Sequence, residues 1–151
     1  MKNLDLEKIL PHKYPMILID NILDYDLDKK YIRTNVEIYE DKIFFDKSLN
    51  GISPSVGIEF MAQTIGCYSY FKNNERPPRI GFLLGTRLYE NKLSCFENGK
   101  TYEIRAKEVF ENDELVSFEC FIYNANEVCS EAVINVYMPK NEINLIGMLN
   151  V

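Results

Sequence analysis

Hydrophobic and polar positions divide the chain into stretches of different period. Residues 30–38 alternate, with Ile32, Thr34, Val36 and Ile38 on one side and Tyr31, Arg33, Asn35 and Glu37 on the other. A period of two predicts a strand with one buried face. Residues 101–110 alternate likewise, with Tyr102, Ile104, Ala106 and, after a small irregularity, Val109 expected inward. Residues 115–123 and 127–138 predict a hairpin about Asn124-Ala125-Asn126, closed by Pro139. Residues 79–91 and 93–96 read as further strand pieces. Near the start, residues 4–10 predict a short helix stopped by Pro11. The apolar run Met16-Ile17-Leu18-Ile19 before Asp20 predicts a strand or strand-like segment covered on both faces, continued by residues 21–25.

One stretch has neither period. Residues 53–72 open with Ser53, a helix-capping residue, and Pro54, which fits the first helical position. Val56, Ile58, Phe60, Met61, Ile65, Tyr68 and Phe71 then fall on almost every side, as in a buried helix. A stretch of about twenty residues is long enough to cross a bilayer, but Pro54, Glu59, Gln63 and Lys72 argue against that here. The order of elements predicts a single α+β domain, with an antiparallel sheet wrapped round one long central helix.

Glu59 is out of place in that packing. Gln63 lies four residues on, on the same helix face. A carboxylate is rarely buried without a partner. Either this face reaches a water-filled edge, or the carboxylate stands at a cleft, open to acid–base work.

Composition narrows the chemistry. The chain has 151 residues, is 46% apolar and 26% charged, and carries a formal net charge of −6. That balance, with no basic cluster, disfavours nucleic acid as a partner. The first residues lack the apolar core of a signal peptide, and Cys67, Cys95, Cys120 and Cys129 have no metal-ligand spacing. The expectation is a cytoplasmic protein with reduced, mostly buried cysteines, no metal and no organic cofactor. His12 is the only histidine.

Three separated blocks then carry a resemblance. Leu10-Pro11-His12-Lys13-Tyr14-Pro15, Glu59-Phe60-Met61-Ala62-Gln63, and Phe82-Leu83-Leu84-Gly85 followed by Phe96-Glu97-Asn98-Gly99-Lys100 resemble the hotdog-fold 3-hydroxyacyl-ACP dehydratases of fatty acid synthesis. The segments at 57–64, 81–87 and 117–120 are similar to the divergent branch found in aryl polyene gene clusters, some of whose members work beside a second dehydratase subunit. The resemblance implies a 3-hydroxyacyl chain on the phosphopantetheine of an acyl carrier protein, and a tunnel at a homodimer or heterodimer interface. Acyl carrier proteins are acidic, so docking one needs a local cluster of Lys and Arg. Glu59 is the implied catalytic carboxylate. Ser55, Val56 and Gly57 are expected to point backbone N–H groups at the thioester, Gly85 to let the thioester come close, and Gln63 to help bind substrate.

The chain departs from the family in one respect. The histidine that dehydratases carry just before the central helix is absent from residues 46–54, so His12 is the only imidazole left to act with Glu59. Its other reading is an ordering residue between two prolines, as Tyr14 is equally a packing aromatic. Two alternatives to an autonomous dehydratase follow. One is a non-catalytic hotdog subunit that partners an active dehydratase. The other is an acyl-thioester hydrolase, in which the carboxylate directs water.

Overall fold

The computed structural model describes residues 5–75 and 82–138, with the backbone alone at 82–84. Pro77, Pro78, the expected strand start at 79–81, Pro139 and the tail at 140–151 lie outside the described residues. The elements, in order, are α1 (Leu6–Ile9), β1 (Asn21–Asp26), β2 (Tyr31–Glu37), β3 (Phe45–Asp46), β4 (Gly51–Ile52), a 3-10 turn (Pro54–Val56), α2 (Gly57–Lys72), β5 (Phe82–Asn91), β6 (Phe96–Glu97), β7 (Thr101–Asn112), β8 (Leu115–Asn124) and β9 (Glu127–Tyr137).

Alternation does what the pattern predicts. Ile32, Thr34 and Val36 of β2 are fully buried, as are Tyr102 and Ile104 of β7. Six strands form one antiparallel sheet in the order β1-β2-β7-β8-β9-β5, and β3, β4 and β6 form a small second sheet. The large sheet wraps α2, whose Phe60, Met61 and Cys67 have no exposed surface. Thr64 Oγ1 lies 2.7 Å from Thr34 Oγ1 and also donates to Phe60 O, pairing the buried hydroxyls between helix and β2. Tyr25 stacks on Phe71 at 4.0 Å near the far end of α2. This is the hotdog fold. All four cysteines are free and buried. No helix among the described residues is long and apolar enough to cross a membrane.

Turn chemistry sets the strand ends. Asp26 Oδ1 accepts the N–H groups of Asp28 and Lys29, both at 3.0 Å, closing β1 onto β2. The hairpin at Asn124-Ala125-Asn126 forms with Ala125 at φ 57. Gly99, at φ 85, makes the turn after β6, where a residue without Cβ adopts the left-handed region at no steric cost.

Three expectations are corrected. Val109 is not inward: it is 46% exposed. The β7–β8 register slips between Glu108 and Phe110, and this bulge leaves Glu108 as the last inward residue, 5% exposed. Its carboxylate meets the Tyr68 hydroxyl at 3.2 Å and the Lys72 ammonium. The loop expected over residues 46–52 holds β3 and β4, joined by a turn with Asn50 at φ 50. Finally, residues 17–20 are extended but belong to no sheet. Ile17, Leu18 and Ile19 are each 3% exposed or less, so both faces are covered as predicted. Their hydrogen bonds go instead to side chains.

Candidate active site

Glu59 lies on the first turn of α2. His12 lies in the link after α1, where Glu7 Oε1 accepts the Tyr14 N–H at 3.2 Å and Lys13 O accepts the Met16 N–H at 2.7 Å. These contacts fold the link back against α2. His12 Nε2 then stands 3.3 Å from Glu59 Oε1, within one chain, with the side chains 31% and 38% exposed. The only imidazole and the one carboxylate of the helix face are thus neighbours at an opening. His12 Nδ1 is buried with no hydrogen-bond partner.

Gln63 makes this arrangement rigid. Its side chain is fully buried. Nε2 donates to Glu59 Oε1 at 3.0 Å and to Met16 O at 2.8 Å. Oε1 accepts from Leu18 N at 2.8 Å and Ile19 N at 3.4 Å. The amide therefore takes the place of a neighbouring strand for residues 16–19, and holds Glu59 by the same oxygen that faces His12. Its donors and acceptors are all engaged within the chain, leaving none for a substrate. Among the described residues Glu59 Oε2 makes no hydrogen bond, so it is the oxygen open to a ligand.

The expected thioester cradle at the helix start is corrected by the 3-10 turn. Ser53 Oγ accepts the Ser55 N–H at 3.4 Å, Ser53 O accepts the Val56 N–H at 3.1 Å, and Pro54 O accepts the Gly57 N–H. Tightening the first turn in this way satisfies the N–H groups that an α-helix leaves free. Gly57 serves packing. A Cβ there would collide with the Tyr89 hydroxyl and lie 3.1 Å from Phe96 Cζ and 3.2 Å from Ile122 Cδ1. The Tyr89 hydroxyl itself donates to Pro54 O. Gly85 is the first paired residue of β5 after a register slip at Leu83, and among the described residues nothing beyond its chain neighbours lies within 4 Å of where its Cβ would be.

Two functional candidates escaped the sequence. Lys42 Nζ donates to Leu18 O at 2.9 Å and to both oxygens of Asp20, at 2.7 and 2.9 Å. An acid closing a buried run needs a cation, which was a usable signal, but nothing in the spacing selects Lys42 over the other lysines. The outer sheet face also carries an open trough of about 650 Å³ between Lys29, Arg33, Arg105, Lys107 and Tyr123. It lies on the side of the sheet away from α2. Arg33 is held there by Asp24 and Glu103, and Arg105 by Glu103 and the Tyr123 ring.

Comparison with known proteins bears on the family and the fold. The ApeP-like family, described as ApeP dehydratase, matches residues 4–147. A 3-hydroxyacyl-[acyl-carrier-protein] dehydratase FabZ from Chlamydia trachomatis is 34% identical over 85 residues, 54% of this chain and 56% of its own length. The corresponding enzyme of Thiobacillus denitrificans is 36% identical over 87 residues, 53% of this chain and 59% of its own length. The chain thus spans a little over half the length of these curated relatives. Among solved structures, the dehydratase heterocomplex ApeI:P from Xenorhabdus doucetiae aligns with TM-score 0.87 and 25% identity over 99% of this chain and 100% of that one. A hypothetical thioesterase with coenzyme A from Streptococcus pneumoniae shares the fold, with TM-score 0.61 and 9% identity over 79% and 84% of the two chains. With a family match running nearly end to end, this chain belongs to the ApeP-like dehydratase family.

Proposed function

We propose that the protein removes water from 3-hydroxyacyl thioesters. The observation that carries this reading is the 3.3 Å approach of His12 Nε2 to Glu59 Oε1 at a partly open site. Elimination needs a base for the proton on C2 and an acid for the hydroxyl on C3. His12, neutral, takes the C2 proton. Glu59, in its acid form, gives its proton to the hydroxyl, which leaves as water as the C2–C3 double bond forms. The pair is then an imidazolium beside a carboxylate, and the short gap returns the proton from Nε2 to Glu59, restoring the starting state. Gln63 fixes the carboxylate and is a positioning residue, not a substrate contact. The space over Gly85 is the candidate place for the thioester. No metal or organic cofactor enters these steps.

The substrate carrier is an acyl carrier protein presenting its phosphopantetheine arm, by analogy with the named activity of the FabZ relatives. The protein works as a soluble cytoplasmic dimer. A second reading, favoured by the heterocomplex to which this fold is similar, makes it a subunit whose turnover needs a second hotdog protein.

Single-turnover mass spectrometry of 3-hydroxyacyl-ACP separates these readings. Loss of one water with wild type, abolished by His12→Ala and by Glu59→Gln in folded protein, supports an autonomous dehydratase. Conversion only after a second hotdog subunit is added supports the heteromeric reading. Release of a free acid in place of the enoyl thioester overturns dehydration in favour of hydrolysis.

A further inference from the structure

The site pair is tied to a feature that neither residue touches. Residues 16–19 lie between α2 and the loop that follows β2, and are paired with no strand of the described residues. From one side they are gripped by Gln63, through Met16 O, Leu18 N and Ile19 N. From the other side they are gripped by Lys42, through Leu18 O and Asp20. Asp20 is anchored in turn to β2: its Oδ2 accepts the Glu37 N–H at 2.6 Å, and its own N–H donates to Asn35 O at 2.8 Å. The Lys42 side chain is only 13% exposed and Asp20 28%. These are not a loose surface pair, whose contribution would be small. The two grips meet at one residue, Leu18, whose N–H donates to Gln63 and whose carbonyl accepts from Lys42.

We propose that Lys42 and Asp20 are positioning residues for the His12–Glu59 pair, acting through the peptide backbone of Leu18 and the amide of Gln63. This rests on the dehydratase reading for its kinetic consequence, but not for its structural one. Without the ammonium, Leu18 O is left unpaired and the Asp20 carboxylate loses its cation. The segment then keeps Gln63 on one side and, on the other, only the bonds that Asp20 makes to β2. Gln63 Oε1 follows its two backbone donors, and Nε2 moves relative to Glu59 Oε1. A carboxylate displaced by a fraction of an ångström loses reaction rate more than it loses substrate affinity, because alignment is needed most in the transition state.

The test compares Lys42→Met with Lys42→Arg, which keeps a cation, and with Lys100→Met. Lys100 makes only an exposed pair with Glu97 and serves as control. Because His12 is the only histidine, ¹⁵N-histidine labelling gives one imidazole and reads the site without substrate. Wild type gives the reference imidazole signal. Lys42→Met should shift or broaden that signal and lower kcat about tenfold with KM nearly unchanged, a loss of ~1.4 kcal/mol in transition-state stabilisation. Lys42→Arg should restore most of both, and Lys100→Met should change neither. A Lys42→Met protein with a lowered melting point but wild-type imidazole signals and kcat overturns the proposal, since Lys42 would then act on stability alone. Wild-type protein that turns over no 3-hydroxyacyl thioester refutes the dehydratase reading, and the imidazole spectra still decide the positioning.

Discussion

Replacing Gln63 by leucine should weaken the fold and disable the site in one step. The side chain is fully buried, and leucine fills nearly the same volume, so little cavity forms. What is lost is the partner of three backbone groups, Leu18 N–H, Ile19 N–H and Met16 C=O. A buried group left unpaired costs about 1–3 kcal/mol. The Ile19 bond is long at 3.4 Å and counts at the low end. Burying an apolar side chain in place of the amide returns about 2 kcal/mol. The net cost is then ~1–5 kcal/mol, up to a large share of the roughly 5–15 kcal/mol that holds a domain together. For a chain of this length it corresponds to a fall in Tm of about 3–15 °C. Thermal and urea denaturation followed by circular dichroism measure the loss, and amide exchange at Leu18 and Ile19 locates it. A loss below about 1 kcal/mol, with those two amides as protected as in wild type, would refute the claim that this amide acts as the segment's missing strand.

Other expectations follow from single contacts. His12→Ala should leave the Tm within a few degrees, because its ring is about a third exposed, while single-turnover rate falls by about 10²–10⁴-fold; a rate near wild type would remove His12 from the chemistry. Gly57→Ala sets a helix-propensity gain of about 1 kcal/mol against overpacking of ~1–3 kcal/mol on Phe96, Ile122 and Tyr89, so a net loss of Tm is expected, and a gain would mean that Tyr89 yields freely. Leu88 is 75% exposed at φ 56, a conformation that strains a leucine, and Leu88→Asn should raise stability by about 0.5–1 kcal/mol; a marked decrease would mean that the side chain is covered in solution. The Arg33 guanidinium holds the Asp24 carboxyl below its usual range, so this pair stabilises the fold at neutral pH and its contribution disappears as pH falls through the depressed value. Urea melts should therefore separate wild type from Arg33→Gln by at most ~1 kcal/mol at pH 7 and converge once the pH is below the depressed Asp24 value, and a gap that widens in acid would contradict the assignment. Burial pushes the Cys67 and Cys120 thiols up, so both should resist thiol reagents in native protein and react on unfolding; fast native labelling of either would show that the core opens.

Much of this architecture could be read from residue periods. The alternation at 30–38 and 101–107 matches β2 and β7, and the Asn-Ala-Asn turn was visible between two apolar runs. Glu59 and Gln63 were visibly on one helix face, since a spacing of four settles that. Three things were out of reach, for separate reasons. The bulge between Glu108 and Phe110 exchanges the inward residue, and a Val-for-Glu swap runs against every burial preference, so pattern alone chose Val109. The 3-10 turn at Pro54–Val56 leaves no mark in composition, yet it determines which N–H groups are free. The His12–Glu59 contact joins positions far apart in sequence through a turn set by Glu7 and Lys13, so proximity depends on how the link folds back. The same holds for Lys42 and Asp20, which become partners only when the loop after β2 lies over the first segment.

The last strand of the large sheet, β5, has no neighbour on its outer side among the described residues. An unpaired edge is a template for any strand that meets it. Here the template is bent. Its register slips between Leu83 and Gly85, and again between Arg87 and Glu90. The straight run between the slips is Gly85-Thr86-Arg87, too short to align a foreign strand. A strand that continues the sheet has to kink at the same two places. An edge bent in this way disfavours pairing with the flat strands through which unfolded proteins aggregate.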